Sequence, residues 1–82
     1  MTPRVSTKTA ERLFGQEIIR IRKNRGISQE ELGFQAGVHR TYVSQIERGL
    51  KSPTLAVILR LTQALRSSAG RLVGDIERKM KN

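Results

Sequence analysis

The chain has 82 residues, of which 16 are Lys or Arg and seven are Asp or Glu, for a formal charge of +9. This length allows one domain with one hydrophobic core. Because the chain has no cysteine and one histidine without clustered carboxylates, disulfides and metal sites are not expected, and no cofactor is predicted. Charged residues interrupt every apolar stretch, so we predict neither a signal peptide nor a membrane span, and we expect a cytoplasmic protein.

The strong positive charge predicts a polyanionic partner, either nucleic acid or an anionic membrane surface. Membrane binding would require a basic amphipathic helix with Trp or Phe on its apolar face. The sequence has no Trp and only two Phe, so no membrane partner is expected. Positive charge also promotes solubility. Sequence motifs must therefore decide whether the charge serves polyanion binding or solubility alone.

The ends of the chain differ from its middle. Residues 1–9 contain Pro3 and have no apolar periodicity, which predicts a flexible N-terminal arm. We expect the domain to span residues 10–79 and residues 80–82 to form a frayed tail.

Apolar residues at helical spacing predict five helices. The predicted spans are residues 10–24, 29–36, 40–48, 54–65 and 69–79. No run alternates with period two, so no strand is predicted and the fold class is all-α.

Local signals mark where these helices begin and end. Gly26 suits a left-handed cap after the first helix. Ser28 and Glu31 have the spacing of a capping box, in which Ser28 accepts from the amide of Glu31 and the Glu31 side chain reaches back. Ser52, Pro53 and Thr54 indicate the start of the fourth helix, because proline is tolerated in the first turn and both hydroxyls can cap.

The second and third helices are short and separated by a very tight turn. Gly33 places a small residue at the expected helix crossing, and Gly37 lies in the turn. Val43 and Ile46 are predicted to bury the inner face of the third helix. Such a pair is the geometric requirement of a protein that inserts a helix into the major groove of DNA.

From about Glu17 to Leu65 the sequence resembles the lambda-repressor/Cro-like (Xre-type) helix-turn-helix family. The matching segments are I-R-x-x-R, G-I-S-Q-E-E-L-G-F-Q-A-G-V, R-T-Y-V-S-Q-I-E-R-G and S-P-T-L. The third segment is also similar to the restriction–modification controller proteins of that family. The resemblance implies a compact five-helix DNA-binding domain, dimeric binding to palindromic operators and no catalysis.

Matched position by position, the resemblance implies that Arg40, Thr41 and Gln45 face the bases in the major groove. Their chemistry agrees with that role: arginine binds guanine in a bidentate manner, the threonine methyl suits thymine, and an amide suits adenine. The alternative is that all three are ordinary polar residues on an exposed helix face.

A second set of residues is assigned to the DNA backbone. Gln29, Tyr42 and Ser44 match positions that touch phosphate or sugar in family members. Arg25, Arg48 and Lys51 flank the third helix and are assigned to phosphate neutralisation, with solvated charge as the alternative.

Arg22 and Glu47 match a family pair in which a guanidinium–carboxylate contact fixes the recognition helix to the scaffold. A glutamate near DNA without such a partner would repel phosphate. His39 stands at the usual cap position of the third helix, and no nucleophile or acid is placed to make it catalytic.

The predicted homodimer interface lies on the fifth helix, with help from the fourth, and consists of Leu72, Val73 and Ile76, with Met80 extending the stripe by one turn. The alternative is that this apolar stripe completes the core of a monomer.

The fourth helix is apolar on more than one face. We expect Leu55, Ile58, Leu59 and Leu65 to face the helix-turn-helix, with Val57 and Leu61 left partly free. The sequence departs from the family at Arg66 and Ser67, where glycine and an apolar residue are usual, so the join between the fourth and fifth helices is expected to be looser or turned differently.

The predicted function is a sequence-specific transcriptional regulator, a repressor or an autoregulator, that binds double-stranded DNA as a homodimer without a small-molecule effector. Nothing in the sequence supports an enzyme. A docking module without DNA binding would present an apolar or acidic recognition face, and single-strand RNA binding would require more exposed aromatic residues. The phage repressor, the restriction–modification controller and the antitoxin with an additional protein partner remain open.

Overall fold

The structure, a computed structural model, describes residues 5–81, and within that range it contains five α-helices and no strand. The helices are α1 (Thr7–Asn24), α2 (Gln29–Ala36), α3 (Arg40–Glu47), α4 (Leu55–Ala64) and α5 (Ala69–Lys81). The predicted all-α class is confirmed. No helix among the described residues is long and apolar enough to cross a membrane.

Both outer helices extend further than the sequence predicts. α1 begins at Thr7, within the predicted arm, because Ser6 caps it by accepting the Thr9 N–H at 3.3 Å. α5 continues to Lys81, within the predicted tail. Residues 1–4 and Asn82, which complete the predicted arm and tail, lie outside the described residues.

Side-chain caps begin the inner helices, with one departure from the predicted pattern. The Ser28 hydroxyl accepts the Glu31 N–H at 3.0 Å, as predicted, but the Glu31 carboxylate accepts from the Gln35 amide at 2.7 Å instead of reaching back. Of the two hydroxyls predicted to cap the fourth helix, that of Thr54 does so by accepting the Val57 N–H at 3.2 Å, and Pro53 directly precedes this cap.

One hydrophobic core receives side chains from all five helices. Its buried members are Phe14, Ile18, Leu32, Ala36, Val43, Ile46, Leu61, Leu65, Leu72 and Ile76. α1 packs against α3 and α5, while α2 packs against α3 and α4. The two short helices are therefore supported from both sides.

As expected for α4, Leu65 is buried and Ile58 packs against the core. The expectation is wrong for Leu55, Leu59 and Leu61. Leu61 is fully buried, whereas Leu55 and Leu59 are 72% and 50% exposed. Residues one turn apart share a face, so Leu61 and Leu65 form the stripe that enters the core and Leu55 and Leu59 form a second stripe beside it. Both stripes are apolar, and periodicity alone does not determine which one packs.

Two of the three residues predicted for a dimer interface belong to the core of the chain itself. Leu72 and Ile76 are 2% and 8% exposed and belong to the hydrophobic core, where α5 packs against α1 and α4. Only Val73 is substantially exposed, at 47%.

A buried carboxylate joins α1 to the end of α5. Glu17 accepts from Arg20 at 2.8 Å and from the Lys79 ammonium at 3.2 Å. The hydrogen bond from Arg20 lowers the pKa of Glu17, burial opposes that change, and the bond from Lys79 adds to it.

The join between α4 and α5 turns at a non-glycine residue in the left-handed region. Arg66 has a φ of +53°, and the Ser67 N–H donates to the Thr62 carbonyl at 2.8 Å. The join is therefore closed by a complete helix cap and is not loose. Arginine occupies the left-handed position of this cap, where the family usually has glycine.

Candidate nucleic-acid interface

The α2–α3 pair is held at close range by small residues and local caps. Gly37 adopts a φ of +74° in the turn, which an L side chain would disfavour. At Gly33 an added Cβ would lie 2.6 Å from the Val38 carbonyl oxygen, so only glycine permits this approach. His39 caps α3 by accepting the Thr41 N–H on Nδ1 at 3.0 Å.

These elements leave an open groove between the start of α2 and the outer face of α3. Its volume is about 570 Å³. The groove is lined by Arg22, Ser28, Gln29, Glu30, Arg40, Thr41 and Ser44. All seven side chains are polar or charged, which suits an anionic, hydrogen-bonding ligand such as a nucleic-acid backbone with its adjacent base edges.

A largely buried network of hydrogen bonds lies behind this groove. The Glu47 carboxylate accepts from Arg22 Nε at 2.6 Å and from Arg22 Nη2 at 3.0 Å, while its side chain is only 3% exposed. Gln29 Nε2 donates to the same carboxylate at 2.9 Å. Arg22 Nη1 also donates to the Ile27 carbonyl in the α1–α2 turn at 2.9 Å. One carboxylate thus links α1, α2 and α3.

The residues predicted for base contacts do not share one environment. Arg40 and Thr41 are exposed at the start of α3 and line the groove. Gln45 is half-buried one turn further along the helix and is not among the lining residues.

The residues predicted for DNA-backbone contacts fall into three groups. Gln29 and Ser44 line the groove. Tyr42 is half-buried and packs against the core. The three basic residues, Arg25, Arg48 and Lys51, are exposed around the helix pair and outside the groove lining.

A family model described as helix-turn-helix matches residues 18–72, the stretch that contains the groove and the network behind it. The chain belongs to the helix-turn-helix family of DNA-binding transcriptional regulators. Its curated relatives include the control protein C.BamHI of Bacillus amyloliquefaciens, which is 44% identical over 54 residues, 65% of this chain and 67% of the relative. The regulator SinR of Bacillus licheniformis is 34% identical over 64 residues, 77% of this chain and 58% of the relative.

Solved helix-turn-helix structures share this fold. The restriction–modification controller protein C.AhdI of Aeromonas hydrophila superposes with a TM-score of 0.74 at 39% identity, covering 76% of this chain and 94% of that one. The P22 c2 repressor, solved in complex with a synthetic operator, gives a TM-score of 0.68 at 36% identity, covering 72% of this chain and 89% of that one.

Three features of this helix-turn-helix domain were missed by sequence reasoning. Glu30 brings a negative charge into the groove. Its position in the first turn of α2, next to Gln29, could have indicated this from the sequence. The bond from Gln29 to Glu47 had no signal in the sequence, because it joins residues 18 positions apart. Gly15 packs against the end of α3, where an added Cβ would lie 2.4 Å from the Ile46 carbonyl oxygen.

Proposed function

We propose that this regulator binds specific double-stranded DNA by placing α3 in the major groove. The observation that supports this most directly is the groove itself, where Arg40 and Thr41 stand exposed beside the start of α2. In this arrangement α2 crosses the phosphates while the first turn of α3 meets base edges. Arg40 donates to guanine, the Thr41 methyl contacts thymine, and Gln45 contacts a base further along the site.

The basic residues around the helix pair bind the phosphates. Arg25, Arg48 and Lys51 are exposed, so each is free to neutralise a phosphate and release a counterion. Ser44 faces the same groove as Arg40, and the half-buried Tyr42 directs its hydroxyl to the sugar–phosphate edge. These contacts supply affinity and register but no sequence preference.

The regulator acts as a homodimer on a palindrome. α3 has eight residues and is therefore about 12 Å long, which covers too few base pairs to define a genomic site. A two-fold dimer would place its two recognition helices about 34 Å apart, one turn of DNA. The exposed pair Leu55 and Leu59 on α4 is the surface that we assign to a second copy of the chain, since solvent-exposed apolar stripes mark interfaces.

The cellular setting follows from the relatives. Similarity to the control protein C.BamHI and to the controller C.AhdI favours a restriction–modification controller among the settings that the sequence leaves open. Such a protein would act in the cytoplasm, with the DNA that it binds.

Base reading is tested by comparing Arg40→Ala with Lys51→Ala on specific and random duplexes. Arg40→Ala should cost about 1–3 kcal/mol on the specific site and relax the preference at one base pair per half-site. Lys51→Ala should weaken binding to both duplexes equally. If Arg40→Ala also lowers both affinities by the same factor, Arg40 does not read a base.

The dimer surface is tested by light scattering at tens of micromolar protein. Leu59→Glu should give a folded monomer that binds half-sites weakly, because Leu59 is half-exposed. Leu50→Glu is the matched control and should stay dimeric, because Leu50 is also exposed but lies in the loop before α4. A Leu59→Glu protein that stays dimeric would show that α4 is not the interface.

A further inference from the structure

Gln29 lies at the first position of α2, yet its amide is engaged inside the domain. Its Nε2 donates to Glu47 Oε1 at 2.9 Å, and the residue as a whole is half-buried. Glu47 is the last residue of α3. The hydrogen bond therefore ties the start of α2 to the end of α3, behind the groove.

The Glu47 carboxylate needs all of its donors. A buried carboxylate is costly unless hydrogen bonds replace its hydration. Arg22 supplies two donors and Gln29 supplies the third. Because Arg22 is itself fixed by its bond to the Ile27 carbonyl, the carboxylate has one position relative to α1 and α2.

Different contacts hold the two ends of α3. The first turn is fixed by the His39 cap and by the close approach of the turn to Gly33. The last turn packs on Gly15 of α1 through its backbone, and its one buried charge, Glu47, is bound by Arg22 and Gln29. Gln45 precedes Glu47 by two residues, so its position depends on the contacts of the last turn. The position of Arg40, at the start of α3, depends on the contacts of the first turn.

We propose that Gln29 is a positioning residue that acts through Glu47 to set the rotation of the C-terminal half of α3, and is not primarily a phosphate ligand. This inference rests on the proposed function, since it concerns how α3 reads DNA. It changes the role that the resemblance implies for Gln29. It also predicts that base preference is lost at the position contacted by Gln45 and is kept at the position contacted by Arg40.

The test uses Gln29→Met, which keeps the length of the side chain and removes the donor. Gln35→Met is the matched control, because it makes the same change on an exposed position of the same helix. We expect Gln29→Met to weaken binding to the specific duplex about tenfold and to flatten the preference at the Gln45 position. Affinity for random duplex and the salt slope of binding should remain those of the wild type, and Gln35→Met should change none of these quantities.

A phosphate ligand would behave differently. Gln29→Met would then weaken specific and random binding by the same factor and leave the base preference of each position intact, which overturns the inference. A normal loss of specificity in Arg40→Ala, measured beside it, shows that the proposed function stands in that case. A wild-type protein without any sequence preference would overturn the proposed function and this inference together.

A second measurement does not involve DNA. Gln29→Met should raise the equilibrium constant for unfolding about tenfold in the wild-type background, as expected for loss of a hydrogen bond to a buried charge. In a Glu47→Ala background the same change should have almost no effect, because the acceptor is gone. Equal effects in the two backgrounds would show that Gln29 does not act through Glu47.

Discussion

Gly15→Ala tests the contact that sets the distance between α1 and the recognition helix. The added Cβ would lie 2.4 Å from the Ile46 carbonyl oxygen and 2.7 Å from that of Glu47, whereas ordinary contact begins at 3.4 Å. Backbone atoms cannot rotate away, so the two helices must separate by about 1 Å. Overpacking of this kind costs about 1–3 kcal/mol or more, and the better helix propensity of alanine returns about 1 kcal/mol.

The expected net loss in the free energy of unfolding is about 1 kcal/mol, which lowers Tm by about 4–8 °C in a domain of this size. Thermal unfolding followed by circular dichroism measures it. Gly74→Ala is the matched control in α5: its Cβ would meet only the flexible Arg78 side chain at 3.6 Å, so the variant should gain about 0.5–1 kcal/mol. Equal stabilisation by both substitutions would refute the close α1–α3 contact.

Three further predictions follow from single residues. Arg66→Gly should raise the free energy of unfolding by about 1 kcal/mol in a denaturant titration, because it relieves a left-handed non-glycine residue. The lowered pKa of Glu17 means that its contribution to stability is complete above its ordinary pKa of 4.5 and is lost as pH falls through its folded-state value, so Glu17→Gln should flatten the acid side of the stability–pH curve. Glu30→Gln should tighten binding to specific and random DNA alike in a fluorescence titration, because it removes a negative charge from the groove, whereas Glu77→Gln on α5 should have little effect.

Features encoded by neighbouring residues were the most predictable. The Ser28 cap and the turn at Gly37 depend on side chains and φ values within a few positions, and the second helix has the predicted bounds. The Arg22–Glu47 contact is also present, but only the family resemblance pointed to it, since 25 residues separate the two.

Features that depend on packing were not predictable. The apolar pattern of α4 is compatible with two orientations, and packing against α2 and α5 selects the one that buries Leu61 and leaves Leu55 in solvent. The stripe on α5 fits a dimer interface as well as a core, and the need to cover α1 buries Leu72 and Ile76. Which apolar stripe of a helix is buried depends on the elements that pack around it. Helical periodicity in the sequence carries no information about those elements.

Sequence-specific recognition by a pair of α3 helices is the central claim, and selection from random duplex DNA tests it most directly. The wild-type protein should enrich an inverted repeat whose half-site centres lie about one helical turn, 34 Å, apart. Binding to the enriched duplex should fall by orders of magnitude between about 50 and 200 mM salt, as release of counterions from several phosphates requires. A pool without an enriched inverted repeat, or an affinity that stays flat across that salt range, would contradict the account.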